Sequence, residues 1–190
     1  MASAFPLQAT SWPLGLDHSI TVRPIRPDDA DLERAFAYRL SRESVYNRFF
    51  GARRSLTPEW LAQLTCIDYS HEMALIATVV LEGSETQIGV ARYVREGAAC
   101  ECAIVVADAW QGRGVGTRMM RELIAAARRS GITEIQGDVL ATNRPMLALA
   151  HKLGMSVRSS PEGATLRRVA LSDLSGGAPL PQQPFEEKRA

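Results

Sequence analysis

The chain has 190 residues, 46% of them hydrophobic and 23% charged, and its 22 Lys and Arg against 21 Asp and Glu leave a formal charge of +1. That length and mix suit one soluble domain with a single core, and the near-neutral balance lacks the basic excess on which nucleic-acid binding rests. The start has neither a basic region nor a long apolar run, so neither a leader nor a membrane span is expected.

Residues 1–17, with Pro6, Trp12 and Pro13, read as an N-terminal extension. Ile20, Thr21, Val22 and Arg23 then alternate as a first strand, and Pro24 and Pro27 mark a turn into a helix starting near Asp28 or Asp29. Leu32, Ala35, Phe36 and Leu40 give that helix its apolar stripe. Residues 44–50 predict a second short helix, with Phe49 and Phe50 in the core. A third opens at Thr57-Pro58-Glu59, where Thr57 is the N-cap and Pro58 holds the first helical place.

Three strands follow as a meander, over 73–81, 87–95 and 99–106, divided by Glu82-Gly83-Ser84 and by Glu96-Gly97. A helix over 113–130 presents Val115, Met119, Leu123, Ile124 and Ala127 on one face. A strand over 132–140, a helix over 144–152 and strands near Ser156 and over 165–171 complete one α/β domain, 18–172, with a mixed sheet. The remainder, 173–190, carries Pro179, Pro181 and Pro184 before a charged end and reads as a disordered tail. Cys66, Cys100 and Cys102 include no C-x-x-C pair and have no nearby His, so no metal is expected; buried free thiols in a reducing cytoplasm are.

The most informative stretch joins the third meander strand to the following helix: Gln111-Gly112-Arg113-Gly114-Val115-Gly116-Thr117. Its glycines allow a sharp turn and close backbone approach, and the first helical turn offers free N–H groups at a positive dipole end, so an anion such as a pyrophosphate is the natural occupant. A Walker loop needs Gly-Lys-Ser/Thr, and no lysine precedes Thr117. A dinucleotide fingerprint is mismatched at its third glycine, where Thr117 stands, although Asp138 some twenty residues on would suit a ribose hydroxyl. An acyl-CoA loop is the third candidate.

Gln111, Gly114 and Gly116 occupy the defining places of the Gln/Arg-x-x-Gly-x-Gly/Ala signature of the GNAT acyltransferases, which this chain resembles over about residues 19–171. Asn143 opening a helix that ends at Leu153-Gly154-Met155 extends the likeness, with Met155 where the superfamily usually has an aromatic residue. The segment Ser41-Arg42-Glu43-Ser44-Val45-Tyr46-Asn47-Arg48-Phe49-Phe50, with Asp68-Tyr69-Ser70-His71-Glu72 and Gly89-Val90-Ala91-Arg92-Tyr93, is similar to the GNAT domain of bacterial Pat-type protein-lysine acetyltransferases.

The resemblance implies a GNAT-type mixed, mostly antiparallel central sheet flanked by helices, and acetyl-CoA as co-substrate with no metal. It places pyrophosphate at Gln111, Gly112, Arg113, Gly114, Val115, Gly116 and Thr117, pantetheine along Ile104, Val105 and Val106 with Asn143 nearby, and the general base at Glu101. A backbone N–H near Val106 would polarise the thioester oxygen.

A general base is needed because a lysine of pKa about 10.4 is neutral in roughly one molecule per thousand at neutral pH, a deficit of about 4 kcal/mol. An inner strand position is expected to desolvate Glu101 and bring its pKa toward the useful range. Ala150 stands seven residues after Asn143, where many family members have a tyrosine acid; His151 is expected on the surface. Tyr69 and His71 are read either as lining the acceptor cleft or as packing. The acceptor implied is a protein lysine, with a small amine as alternative and a non-catalytic acyl-CoA-binding regulator as rival; homodimerisation is left open.

Overall fold

A computed structural model describes residues 8–15, 18–50 and 56–174. In chain order the elements are β1 (Thr10–Leu14), β2 (His18–Pro24), a 3-10 turn (Pro27–Asp29), α1 (Ala30–Arg39), α2 (Arg42–Phe49), α3 (Pro58–Thr65), β3 (Glu72–Leu81), β4 (Ser84–Glu96) and β5 (Ala99–Val106). A 3-10 turn (Asp108–Trp110), α4 (Val115–Arg129), β6 (Glu134–Leu140), α5 (Arg144–Lys152), β7 (Ser156–Ser160) and β8 (Gly163–Ser172) follow. The strands form one sheet in the order β1-β2-β3-β4-β5-β6-β8-β7, antiparallel at every neighbour except β5 and β6. The mixed α/β architecture thus agrees with the sequence expectation.

Residue pattern explains the layers. On one face lies α4, whose Met119, Met120, Leu123 and Ile124 are fully buried; each such side chain contributes roughly 1.5–3 kcal/mol by leaving water. On the other, Phe36, Leu40 and Val45 from α1, α2 and the link between them pack with Ile25, Ala74, Ile76, Val90 and Ala107. Both faces of β3 are covered, which is why Met73 to Val79 is an almost unbroken apolar run. In β5 the alternation is plain: Cys100 and Cys102 point into the α4 side and Glu101 points to the α1–α3 side, exposed.

Several local expectations are revised. Within 1–17, Thr10–Leu14 forms an edge strand on β2, held partly by Arg118 stacked over the Trp12 ring at 5.3 Å. The helix expected from 113 starts at Val115, because Gly114 adopts φ +84° and cannot continue a right-handed turn. Expected burial of Phe49 and Phe50 is not realised: α2 is short and turns them outward, 41% and 43% exposed, with Phe49 against Trp60. Cys100 and Cys102 are buried free thiols, burial pushing each pKa up to about 12, whereas Cys66 at the end of α3 is exposed. Within 173–190, Leu174 is buried and its N–H donates to the Thr133 carbonyl, so the sheet holds the chain to that point. The rest of the expected tail lies outside the described residues.

The feature that positions the site is a divergence. β5 pairs with β6 only at Ala99↔Glu134, Cys100↔Ile135 and Glu101↔Gln136. Beyond that, β5 continues with β4 as far as Gly89↔Val106, and β6 continues with β8 as far as Leu140↔Leu166. At the vertex β6 passes close against β5, where a Cβ on Gly137 would sit 2.7 Å from the Cys102 carbonyl oxygen. Gly137→Ala is therefore expected to lose about 1–3 kcal/mol by forcing the strands apart, read as a lower urea midpoint at unchanged slope.

Candidate active site

A slot opens between β5 and β6 past Glu101. Ala107 donates its N–H to Ile88 on β4, so by strand alternation Val105 faces β4 while Ile104 and Val106 turn their N–H and C=O groups into the slot. Of the three residues expected to bind an amide chain, Ile104 turns both backbone groups there, Val106 its N–H and a carbonyl that already accepts from Gln111, and Val105 faces β4. On the β3–β4 side the register slips between Ala77 and Thr78, leaving Ile88 as the extra residue of a bulge next to this point.

The end of the slot meets the glycine loop. Gly112 and Gly114 have φ of +70° and +84°, conformations that L side chains resist. The first backbone bond of α4 runs from Arg118 N–H to the Gly114 carbonyl, so the N–H groups of Val115, Gly116 and Thr117 have no partner within the helix, and they stand at its positive end. A Cβ on Gly116 would lie 3.5 Å from Leu149, 3.7 Å from Val106 and 3.8 Å from Ile104; α4, α5 and β5 converge here. Arg113 is exposed and stacks over Trp110, its guanidinium 5.4 Å from the ring centre. Gln111 turns back, donating from Nε2 to the Val106 carbonyl at 2.9 Å and to Ser44 Oγ at 3.2 Å.

Glu101 stands at the vertex on the α1–α3 face, beside Val94 on β4 and Gln136 on β6. The desolvated position expected for it is not found: the side chain is exposed, because the diverging strands and the short α2 leave that part of the face uncovered. Arg48 from α2 and Arg168 from β8 lie within electrostatic reach of Glu101. Deeper on the same face, burial pushes the Glu33 carboxyl up despite the opposing bond from Gln87 and the nearby Arg92 and Arg48 guanidiniums. Burial conversely lowers the pKa of Arg48 and of Arg92, which donates to the Leu64 carbonyl.

Other candidates fall into place by their partners. Asn143 caps α5, its Oδ1 accepting from Met146 N–H at 3.1 Å, beside the Leu149 that faces Gly116. Ala150 is fully buried in the core, and His151 is exposed as expected. Asp138, the ribose candidate, is engaged by Arg168 through two bonds of 2.8 and 2.7 Å, which removes that support for a dinucleotide loop. Tyr69 donates to the Ile25 carbonyl, and His71 is exposed in a turn with Asp68 and Ser70. The Asp68 carboxyl is held down to about 2, first by the Ser70 backbone N–H and then by His71.

Sequence reasoning missed Asp108. Its Oδ1 accepts from Ser41 Oγ at 2.7 Å and Ser44 Oγ at 2.9 Å, and its Oδ2 from Ser41 N–H at 3.1 Å. Partial burial pushes this carboxyl up, yet the Ser41 and Ser44 hydrogen bonds outweigh it and hold the pKa below the usual value. The helix expected over 44–50 begins at Arg42 with Ser41 as its N-cap, the Ser41 Oγ accepting from Ser44 N–H; a partner 67 residues away leaves no local signal.

Comparison with known proteins accords with this geometry. An acetyltransferase of Pseudomonas aeruginosa is 36% identical over 177 residues, 90% of this chain and 95% of that protein. The acetyltransferase Pat of Mycolicibacterium smegmatis is 32% identical over 136 residues, 70% of this chain and 40% of its own length. The crystal structure of the GNAT domain of S. lividans Pat superposes with a TM-score of 0.77 at 29% identity, covering 86% of this chain and 96% of that one. The model of the acetyltransferase (GNAT) domain matches residues 19–156, and on these grounds the chain belongs to the GNAT acetyltransferase family.

Proposed function

We propose that the protein transfers acetyl from acetyl-CoA directly to a primary amine, with a protein lysine as acceptor and Glu101 as general base. The observation that carries this reading is that a helix N-terminus, an open strand edge and a carboxylate follow one another along a single path. The N–H groups of 115–117 suit a pyrophosphate, the slot-facing backbone of Ile104 and Val106 suits an extended amide chain, and Glu101 sits at the vertex five residues before Val106, about 17 Å at strand rise. Asn143 sits at the start of the helix that flanks this path.

In the reaction, the acceptor amine gives up a proton as its nitrogen bonds to the thioester carbon, and bridging water carries that proton to the Glu101 carboxylate, which lies too far from Val106 for direct contact. The Val106 N–H, turned into the slot, is the donor available to the carbonyl oxygen as it gains charge. The C–S bond then breaks and the sulfur leaves as thiolate. With Ala150 in the core, no tyrosine hydroxyl serves there; a thiol of pKa about 8.5 is a good enough leaving group to take its proton from the tetrahedral ammonium or from solvent. A macromolecular acceptor is favoured by the face on which Glu101 lies. It is uncovered and borders an α2 whose Tyr46, Phe49 and Phe50 are exposed, and the likeness to Pat-type enzymes points the same way.

Labelled acetyl-CoA incubated with the protein and a lysate of its own organism is expected to put label on proteins. Label confined to small amines would overturn the lysine reading, and label on neither would leave a non-catalytic acyl-CoA binder. Gly114→Asp is expected to weaken CoA binding at least about tenfold, since a side chain is strained in the left-handed region and a carboxylate opposes phosphate at the helix end. Calorimetry giving a wild-type CoA affinity would sink the loop assignment.

A further inference from the structure

Donor and acceptor sides of the site are joined by a continuous chain of hydrogen bonds. The Val106 carbonyl, in the slot, accepts from Gln111; the same Gln111 amide donates to Ser44 Oγ; Ser44 Oγ donates to Asp108; and Asp108 also accepts both the hydroxyl and the backbone N–H of Ser41. Ser44 is buried and its hydroxyl is used in both directions, giving one hydrogen and taking another. Apart from the first, which ties Gln111 to the end of β5, every link runs between the loop that follows β5 and the N-terminus of α2.

Beyond that clamp, the described residues hold α2 through Val45 in the core and Phe49 against Trp60. The helix is eight residues long, too short to persist on its own propensity, and only Ser44 and Val45 are buried along it. It ends at Phe50 in a left-handed conformation with φ of +53°. Its outer part carries the exposed Tyr46 and Phe49, together with Arg48 near Glu101. The Asp108 clamp on Ser41 and Ser44 fixes the N-terminal end of the helix from which these acceptor-side groups project.

We propose that Asp108 is a positioning residue that locks α2 to the donor loop, so that occupation of the loop firms α2 and couples donor affinity to acceptor affinity. The inference rests on the reading of residues 111–117 as the acyl-donor site. A ligand anchored there immobilises Gln111 and Val106, and through them Ser44. Because coupling between sites is reciprocal, an acceptor bound against α2 tightens the donor by the same factor.

The test uses the full chain and CoA alone as probe. Saturating CoA is expected to slow amide exchange over residues 44–50 at least about fivefold, the lower end of ordinary coupling. In Asp108→Ala those amides exchange fast with or without CoA, while calorimetric CoA affinity stays within about fivefold of wild type; Asp108→Asn, which keeps one oxygen acceptor, recovers part of the CoA-dependent slowing. Ser44→Ala cuts the chain at its middle without disturbing Asp108 itself and serves if the first variant does not fold. Equal exchange with and without CoA in the wild type, or full CoA-dependent slowing in both Asp108→Ala and Ser44→Ala, overturns the coupling. Absence of CoA binding to the wild type would overturn the donor-site reading itself, and the coupling with it.

Discussion

Glu101→Gln is expected to lower acetyl transfer at least about a hundredfold while CoA affinity stays near wild type, the usual size of a general-base loss. Glutamine has the same shape and still hydrogen-bonds, but it cannot accept the amine's proton. Glu101 lies on the α1–α3 face at the vertex, away from the N–H groups of 115–117, so donor affinity has no reason to follow. The pH profile adds a second signature. Without a base, the residual rate tracks the neutral fraction of the acceptor and rises about tenfold per pH unit up to the lysine pKa near 10.4. Unchanged turnover would remove Glu101 from the mechanism.

Asp29→Ala should give the largest loss of stability. Asp29 and Arg23 are 4% and 8% exposed, joined by two bonds of 2.7 Å, and Asp29 also accepts the Arg26 N–H at 2.7 Å. Among the described residues, the part-exposed Glu85, at 3.1 Å, and the Pro24 carbonyl, at 3.3 Å, would remain for the guanidinium. Breaking a buried pair from one side costs about 3–5 kcal/mol, a large share of the 5–15 kcal/mol, roughly, that holds a domain folded. Denaturant midpoints of variant and wild type at neutral pH measure it.

The same pair gives a pH dependence. Burial pushes the Asp29 carboxyl up, but the Arg23 bond and the Arg26 N–H outweigh it, so its pKa lies below the ordinary 3.8. A depressed folded pKa means that the stabilisation is complete above the unfolded value, about 3.9, and is lost as pH falls through the folded one. Wild-type stability should therefore drop below about pH 4 more steeply than that of Asp29→Asn, which has no such proton to take up. Parallel acid profiles would rule out this origin.

What could be read in the sequence and what could not divide by range. Helical period located α4 and α5 because each buries one face, apolar runs bounded by turn residues located the meander, and the glycine spacing located the anion loop because backbone φ is set within a few residues. The start of α4 slipped by two positions for the same local reason: Gly114 in the left-handed region ends the loop one residue before the helix. Phe49 and Phe50 were misplaced because hydrophobicity alone does not say whether a partner covers a short helix. Exposure of Glu101 depends on where β6 leaves β5, a tertiary fact. So does the meeting of Ser41 and Ser44 with Asp108, in which no residue carries a local pattern that points to the other.

The divergence of β5 from β6 also bears on how the molecule avoids a common hazard of β proteins. A sheet border with free backbone groups is ordinarily a template for a stray chain. Here the free border lies in the middle of the sheet, with β6 on the far side and the ends of α4 and α5 closing over it at Gly116 and Leu149. A whole foreign strand has no approach, whereas a slender unbranched chain does. The molecule can thus keep an unfinished ladder permanently ready for its substrate without exposing itself to self-association along that ladder.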